Sequence, residues 1–85
     1  MIKKYKTKGT CSTQIDLEVE DGVIKNVGFT GGCNGNLQGI SMLVEGMKAE
    51  DAIAKLKGIR CGYKSTSCPD QLSKALEEVL AEEKN

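Results

Sequence analysis

The amino-acid sequence predicts an α+β domain: a small antiparallel sheet of two to three strands at the N-terminus, covered on one face by three C-terminal helices. Three observations predict it. Apolar residues alternate with period two between residues 13 and 30. From residue 37 onward they recur at spacings of three and four. The two kinds of segment are segregated along the chain and do not alternate, which distinguishes α+β from a parallel α/β sheet. A chain of 85 residues has room for one domain, residues 1–85, and none for a two-domain enzyme.

The elements follow in order. Residues 2–8 are a strand candidate with β-formers at Ile2, Tyr5 and Thr7 among several lysines. In residues 13–20, Ile15, Leu17 and Val19 lie on one face and Asp16, Glu18 and Glu20 on the other. Residues 23–30 form the next strand, with Val23, Val27 and Phe29 in phase. A three-residue loop, Glu20-Asp21-Gly22, keeps the two apolar sets on one face by pairing Val19 with Val23 and Ile15 with Val27. That register puts Lys25 on the buried face, where it must snorkel at an edge.

Leu37, Ile40, Leu43, Val44 and Met47 then mark a helix over 36–46, all five in its core stripe. A short helix over 49–57 buries Ala52, Ile53 and Leu56 and ends at Gly58. In the last helix Pro69 suits the first turn and Asp70 complements the dipole. Leu72, Ala75, Leu76, Val79 and Leu80 line its inner face, and the tail 82–85 is expected to fray.

Composition narrows the function. Twelve basic and twelve acidic side chains balance, which excludes an electrostatic grip on nucleic acid or an anionic membrane. No histidine is present, so there is no imidazole base and no mixed cysteine–histidine zinc site. Three aromatics, Tyr5, Phe29 and Tyr63, are too few for a base-stacking surface. The basic start leads into no apolar run long enough for a signal peptide or a membrane span. The expected location is cytoplasmic, where thiols stay reduced and four cysteines point to metal or redox chemistry.

Those cysteines are spaced C-x21-C-x27-C-x6-C, without a C-x2-C knuckle. Their placement carries more weight than their spacing, because Cys11, Cys33, Cys61 and Cys68 all fall at element ends or in loops. Cys33 and Cys68 lie at helix starts, where backbone N–H groups favour a thiolate. Arg60 and Lys64 flank Cys61 and offset negative charge. Gly31, Gly32 and Gly35 allow close backbone approach to a metal or its sulfurs. Asn34, Ser67 and the backbone N–H groups of 31–35 are candidate donors to sulfur. Alternative readings are cysteines as core filler, a Cys61–Cys68 disulfide, and a phosphate cradle at the glycine-rich turn. The last lacks the lysine and spacing of a P-loop.

Thr66-Ser67-Cys68-Pro69-Asp70 spells the motif that names the TSCPD domain family. Gly31-Gly32-Cys33-Asn34-Gly35-Asn36, Leu56-Lys57-Gly58-Ile59-Arg60-Cys61-Gly62 and Asp70-Gln71-Leu72 extend the match. The chain resembles the short, free-standing, four-cysteine branch of that family. The domain also occurs at the C-terminus of adenosylcobalamin-dependent ribonucleotide reductases. The resemblance implies a thiol-rich accessory to ribonucleotide reduction, classed as a ribonucleoside-diphosphate reductase only by inheritance. There is no room here for the radical-bearing barrel or the nucleotide sites.

A more distant resemblance is to the U-type iron–sulfur assembly scaffolds. Thr10-Cys11, Gly32-Cys33 and Cys68 match that family's three ligand cysteines, and the α+β order is similar. Thr13 stands where the scaffolds carry an aspartate and Ser67 where they carry a histidine. The missing aspartate implies permanent binding over cluster transfer, with Cys61 as compensating ligand.

The expectation is therefore a metal-binding module with Cys11, Cys33, Cys61 and Cys68 as a thiolate cage. Zinc is the leading occupant and an iron–sulfur cluster the alternative. A thiol redox protein exchanging through Cys61 and Cys68 is the competing class. The expected partner is another protein, a reductase or a metal-trafficking protein, with no nucleic acid and no membrane.

Overall fold

The Asp21-Gly22 pair sets the register of the sheet. In the computed structural model, which describes residues 1–32, 34–60 and 62–83 and only the backbone of Asn34, both residues have positive φ, 52° and 77°. That is the requirement of a type I′ hairpin turn, for which Asp-Gly is a preferred pair. The turn joins β2 (Ser12–Glu20) to β3 (Val23–Gly31) with Glu20 opposite Val23. The connection is thus two residues long, and the three-residue loop is corrected.

A bulge reconciles this turn with the apolar pattern. Val19 pairs with Ile24 and Glu18 with Asn26, leaving Lys25 as the extra residue. Ile24 and Val27 can then both point inward, and Lys25 is exposed, not buried as the simple register required. β1 (Ile2–Lys6) pairs antiparallel with β2, giving a three-stranded sheet in the order β1-β2-β3.

Three helices follow the sheet: α1 (Asn34–Val44), α2 (Ala49–Leu56) and α3 (Cys68–Glu83). The layout is the α+β architecture that the segregated periodicities predict. Ile15, Leu17, Val19 and Ile24 of the sheet meet Leu72, Ala75, Leu76 and Val79 of α3, all essentially inaccessible. α2 packs on α3, with Ala52 buried, and α1 packs on β3 through Leu37 and Val44. Gly58, at φ 87°, directly follows the C-cap of α2. The segment between α1 and α2 covers the start of the β3 edge: Ile24 N–H donates to the Met47 carbonyl and Gly46 N–H to that of Ile24.

One predicted core residue is on the surface. Leu43 is 77% exposed, while its stripe-mates Ile40 and Met47 are half-buried. β3 covers one side of α1, whereas α2 is engaged with α3 and leaves Leu43 without a layer above it. At the chain end, α3 runs through Glu83, past the expected start of fraying. Lys3 forms ion pairs with Glu78 at 2.9 Å and Glu82 at 2.6 Å, tying β1 to its last turns. Among the described residues, no helix is long and apolar enough to cross a membrane.

These environments separate two leucines. Leu76→Ala is expected to cost about 2–5 kcal/mol in urea unfolding, and Leu43→Ala to change stability by no more than about 0.5 kcal/mol. Comparable losses for both would show that Leu43 belongs to the core.

Candidate functional site

The site is organised around the start of α3. Ser67 is its N-cap: Ser67 Oγ accepts from the Asp70 N–H at 3.1 Å and donates to the Ile59 carbonyl at 2.6 Å. Cys68 is the first helical residue, Pro69 the second and Asp70 the third. The Asp70 carboxylate accepts from the Thr66 hydroxyl and, at 2.8 Å, from the Gly58 N–H. Lys74 Nζ lies 3.7 Å from it. Gln71 extends the network, donating to Thr66 Oγ1 at 3.0 Å and accepting from the Lys8 N–H at 3.1 Å. Thr66, Ser67, Asp70 and Gln71 are all buried. They lock the segment after β1 and the loop after α2 onto the start of α3.

Cys68 and Cys11 line one cleft of about 540 Å³, bordered by Leu37, Ile40, Leu43 and Ile59. Both thiols are free among the described residues; Cys11 is exposed and Cys68 half-buried. Ser12 Oγ lies 3.1 Å from Cys68 Sγ. Burial pushes the Cys68 thiol up, but hydrogen bonds outweigh it and the net direction is down from the usual 9.0. The donors are the Ser12 hydroxyl and N–H, the Thr10 hydroxyl and the Cys11 N–H. Lys64 Nζ lies 4.0 Å from Cys11 Sγ, and Arg60 lines the same cleft. The hydrogen bonds at Cys68 favour its negative form, the form that binds soft and borderline metals.

Ser12 reaches Cys68 because of a second bulge. Ser12 pairs with Gly31 and Gln14 with Thr30, so Thr13 is the extra residue and points outward. Ser12, three positions before Ile15, therefore faces inward and is buried. Gly31 and Gly32 both have positive φ. A Cβ on Gly32 would sit 2.8 Å from Leu37 Cδ1 and 3.1 Å from Ser12 N, so only glycine fits there. Their role in the described residues is to close the end of β3 against Ser12.

Of the predicted site residues, Cys11 and Cys68 thus come together. Ser67 lines the cleft, but its hydroxyl proton goes to the Ile59 carbonyl and not to sulfur. Cys33, Cys61 and the side chain of Asn34 lie outside the described residues, and the described residues alone assemble no group of three metal-ligating side chains. Sequence reasoning missed Ser12 as a partner of sulfur. The Thr-Cys-Ser run was visible, but the bulge that turns Ser12 inward was not.

The TSCPD domain model matches residues 1–80. The chain belongs to the TSCPD domain family. Four of the five residues that name the family are here seen to be structural or thiol-bearing: Thr66, Ser67 and Asp70 build the clasp, and Cys68 is what it presents. No curated protein and no solved structure matches this TSCPD domain, so the resemblance to U-type scaffolds gains no support from them.

Two predictions rest on this geometry. The donors around Asp70 hold its carboxyl below the ordinary 3.8, the Thr66 hydroxyl first and the Gly58 N–H second, against the opposing effect of burial. A depressed carboxylate stabilises the fold fully above the unfolded-state pKa, and that stability is lost as pH falls through the lower folded-state value. In chelator-treated protein, Asp70→Asn should cost about 2 kcal/mol at neutral pH and flatten the acid limb of the stability curve. An acid limb identical to that of the parent chain would refute this role.

In the same metal-free protein, residue-by-residue alkylation read by mass spectrometry should give Cys68 a pH midpoint below 9.0. Ser12→Ala should move that midpoint upward, since it removes a donor to the thiolate. A midpoint that does not respond would remove Ser12 from the site.

Proposed function

We propose that this TSCPD domain is a metal-binding module in which Cys11, Cys33, Cys61 and Cys68 hold one zinc ion in a closed four-thiolate site. The observation that carries the reading is the shared cleft of Cys11 and Cys68, where the Ser12 hydroxyl lies 3.1 Å from the Cys68 sulfur. The other two ligands are supplied in this reading by segments whose described members border the same cleft. Gly35 and Asn36 follow Cys33, and Ile59 and Arg60 precede Cys61. The donor set fits the ion: four thiolates satisfy tetrahedral zinc, and the cations and donors offset the excess negative charge.

Four protein ligands leave no open position for a substrate. The module then acts through another protein and not as an enzyme by itself. A reductase or a metal-trafficking protein is the partner class that the family resemblance implies, with an accessory part in ribonucleotide reduction. An iron–sulfur cluster is the second reading. It is favoured by the largely apolar walls of the cleft and the hydrogen bonds to sulfur, both of which tune such clusters.

Elemental analysis and an absorption spectrum of anaerobically purified protein test the proposal. One zinc per chain in a colourless solution, lost in Cys68→Ser and in Cys33→Ser, is the expected result. Iron in a brown solution would replace zinc by the cluster. Metal-free protein with four freely alkylated thiols would end the cage reading. A reversible disulfide in that metal-free protein would support thiol exchange instead.

A further inference from the structure

The two edges of the sheet are built differently. β1 carries Lys3, Lys4 and Lys6, and lysine on an edge strand is a device against pairing with another chain. β3 has no such guard. The chain's own residues cover its edge at Ile24, through Gly46 and Met47, and beyond that point the alternation of the ladder fixes what the edge presents. Val19 exchanges hydrogen bonds with Met1 on the β1 side, so Leu17 and Ile15, in phase with it, also face β1. Their β3 partners Val27 and Phe29 therefore turn their own N–H and C=O groups off the edge. The Val27 N–H meets a Glu45 carboxylate oxygen at 3.4 Å. Among the described residues the Phe29 N–H and carbonyl have no such partner.

A hollow of about 410 Å³ adjoins this edge, bordered by Val27, Phe29, Leu37, Ser41, Met42 and Glu45. Met42, on its α1 wall, is 66% exposed. Residues 26–44, which supply the open edge and the whole of α1, contain no Asp, Glu, Lys or Arg in a chain that is 28% charged. Loss of charge together with an exposed methionine is the composition of an interface centre. The unpaired backbone groups specify that what covers them is another strand.

We infer that β3 pairs with β3 of a second copy of this chain, joining two three-stranded sheets into one. A two-fold axis at Phe29 fits the open stretch: each Phe29 N–H donates to the other copy's Phe29 carbonyl, and Val27 stands opposite Gly31. The overlap then stops short of Ile24, where Gly46 and Met47 already lie. Close to such an axis each side chain approaches its own counterpart, so a charge there would repel itself. The uncharged run meets that condition, which a segment of a different protein would not impose. The charges nearest the axis are set away from it. Glu45 sits at Val27, and the two Val27 positions are four strand residues apart, about 13 Å, beyond the screening length at physiological salt. Cys33, which the metal reading gives to the cage, lies four residues beyond Phe29 in sequence. The pairing itself needs no metal.

Sedimentation equilibrium of the whole chain, as purified and again after chelation, is the test, with circular dichroism confirming the fold. A dimer is expected in both preparations. Met42→Lys should raise its dissociation constant at least about tenfold, whereas Leu43→Lys, whose side chain borders the thiol cleft and not this hollow, should change it by less than about twofold. In hydrogen exchange read residue by residue, the Phe29 amide should exchange at least about tenfold more slowly in the dimer than at monomeric dilution. A chain that is still monomeric at about 1 mM would overturn the inference. So would a dimer indifferent to Met42→Lys, or one in which the Phe29 amide gains no protection. A dimer lost on chelation while the fold persists would assign the contact to shared metal and overturn it too. Zinc content is read separately, so the dimer and the cage fail independently.

Discussion

A carboxylate taken out of water destabilises a fold unless its lone pairs find donors. Asp70 meets that condition with donors from different parts of the chain. The Gly58 N–H comes from the loop after α2 and the Thr66 hydroxyl from the turn before α3, while Lys74, on the next turn of α3 itself, is an ion-pair partner 3.7 Å away. One buried charge therefore fixes the approach of that loop to the helix start. Ser67 repeats the link through the Ile59 carbonyl, and Gln71 adds Lys8 from beyond β1. Cys11 and Cys68 are held by this network, and Cys61 is attached in sequence to one of the segments it ties down.

The sheet makes the matching half of the site. Regular alternation back from Ile15 would have put Thr13 inward and Ser12 in solvent. The Thr13 bulge exchanges them, and it brings a hydroxyl beneath Cys68. Gly32 can close over Ser12 because it has no Cβ to collide with Leu37. The bulge at Lys25 acts differently, letting a tight two-residue turn coexist with a continuous apolar face. Both bulges occur where a local requirement, a turn or a site, conflicts with the period-two pattern.

That conflict also explains which features the sequence disclosed. The alternation from Ile15 to Val19 and the spacing from Leu72 to Leu80 depend on nearest neighbours on one face, and both elements are where those patterns put them. The placement of Lys25 and Ser12 depends on single extra residues that no periodicity announces. Leu43 misled for another reason. A helical stripe shows which face is apolar but not how much of that face a neighbour covers, and α2 turns to α3. The clasp was half legible: the start of α3 was evident from Pro69 and Asp70, but its tie to Gly58 and Ile59 is a tertiary contact. Ser67 fits a cap by residue type, and reading it as a donor to sulfur overlooked the stronger local claim of the helix end.

Core and site are built from different residues. Every buried apolar side chain in the main cluster belongs to Ile, Leu, Val or Ala, and neither Cys11 nor Cys68 is among them. The hydrophobic layer between β2 and α3 thus needs no sulfur to hold it, and the hydrogen bonds of Asp70 need none either. An 85-residue chain with that core and that clasp has two sources of stability independent of any ligand. Metal would add its binding free energy to a fold already largely specified, unlike a zinc finger that is unfolded without it. This division is what allows α1 to leave Leu43 uncovered beside the thiols: its burial is not required by the core.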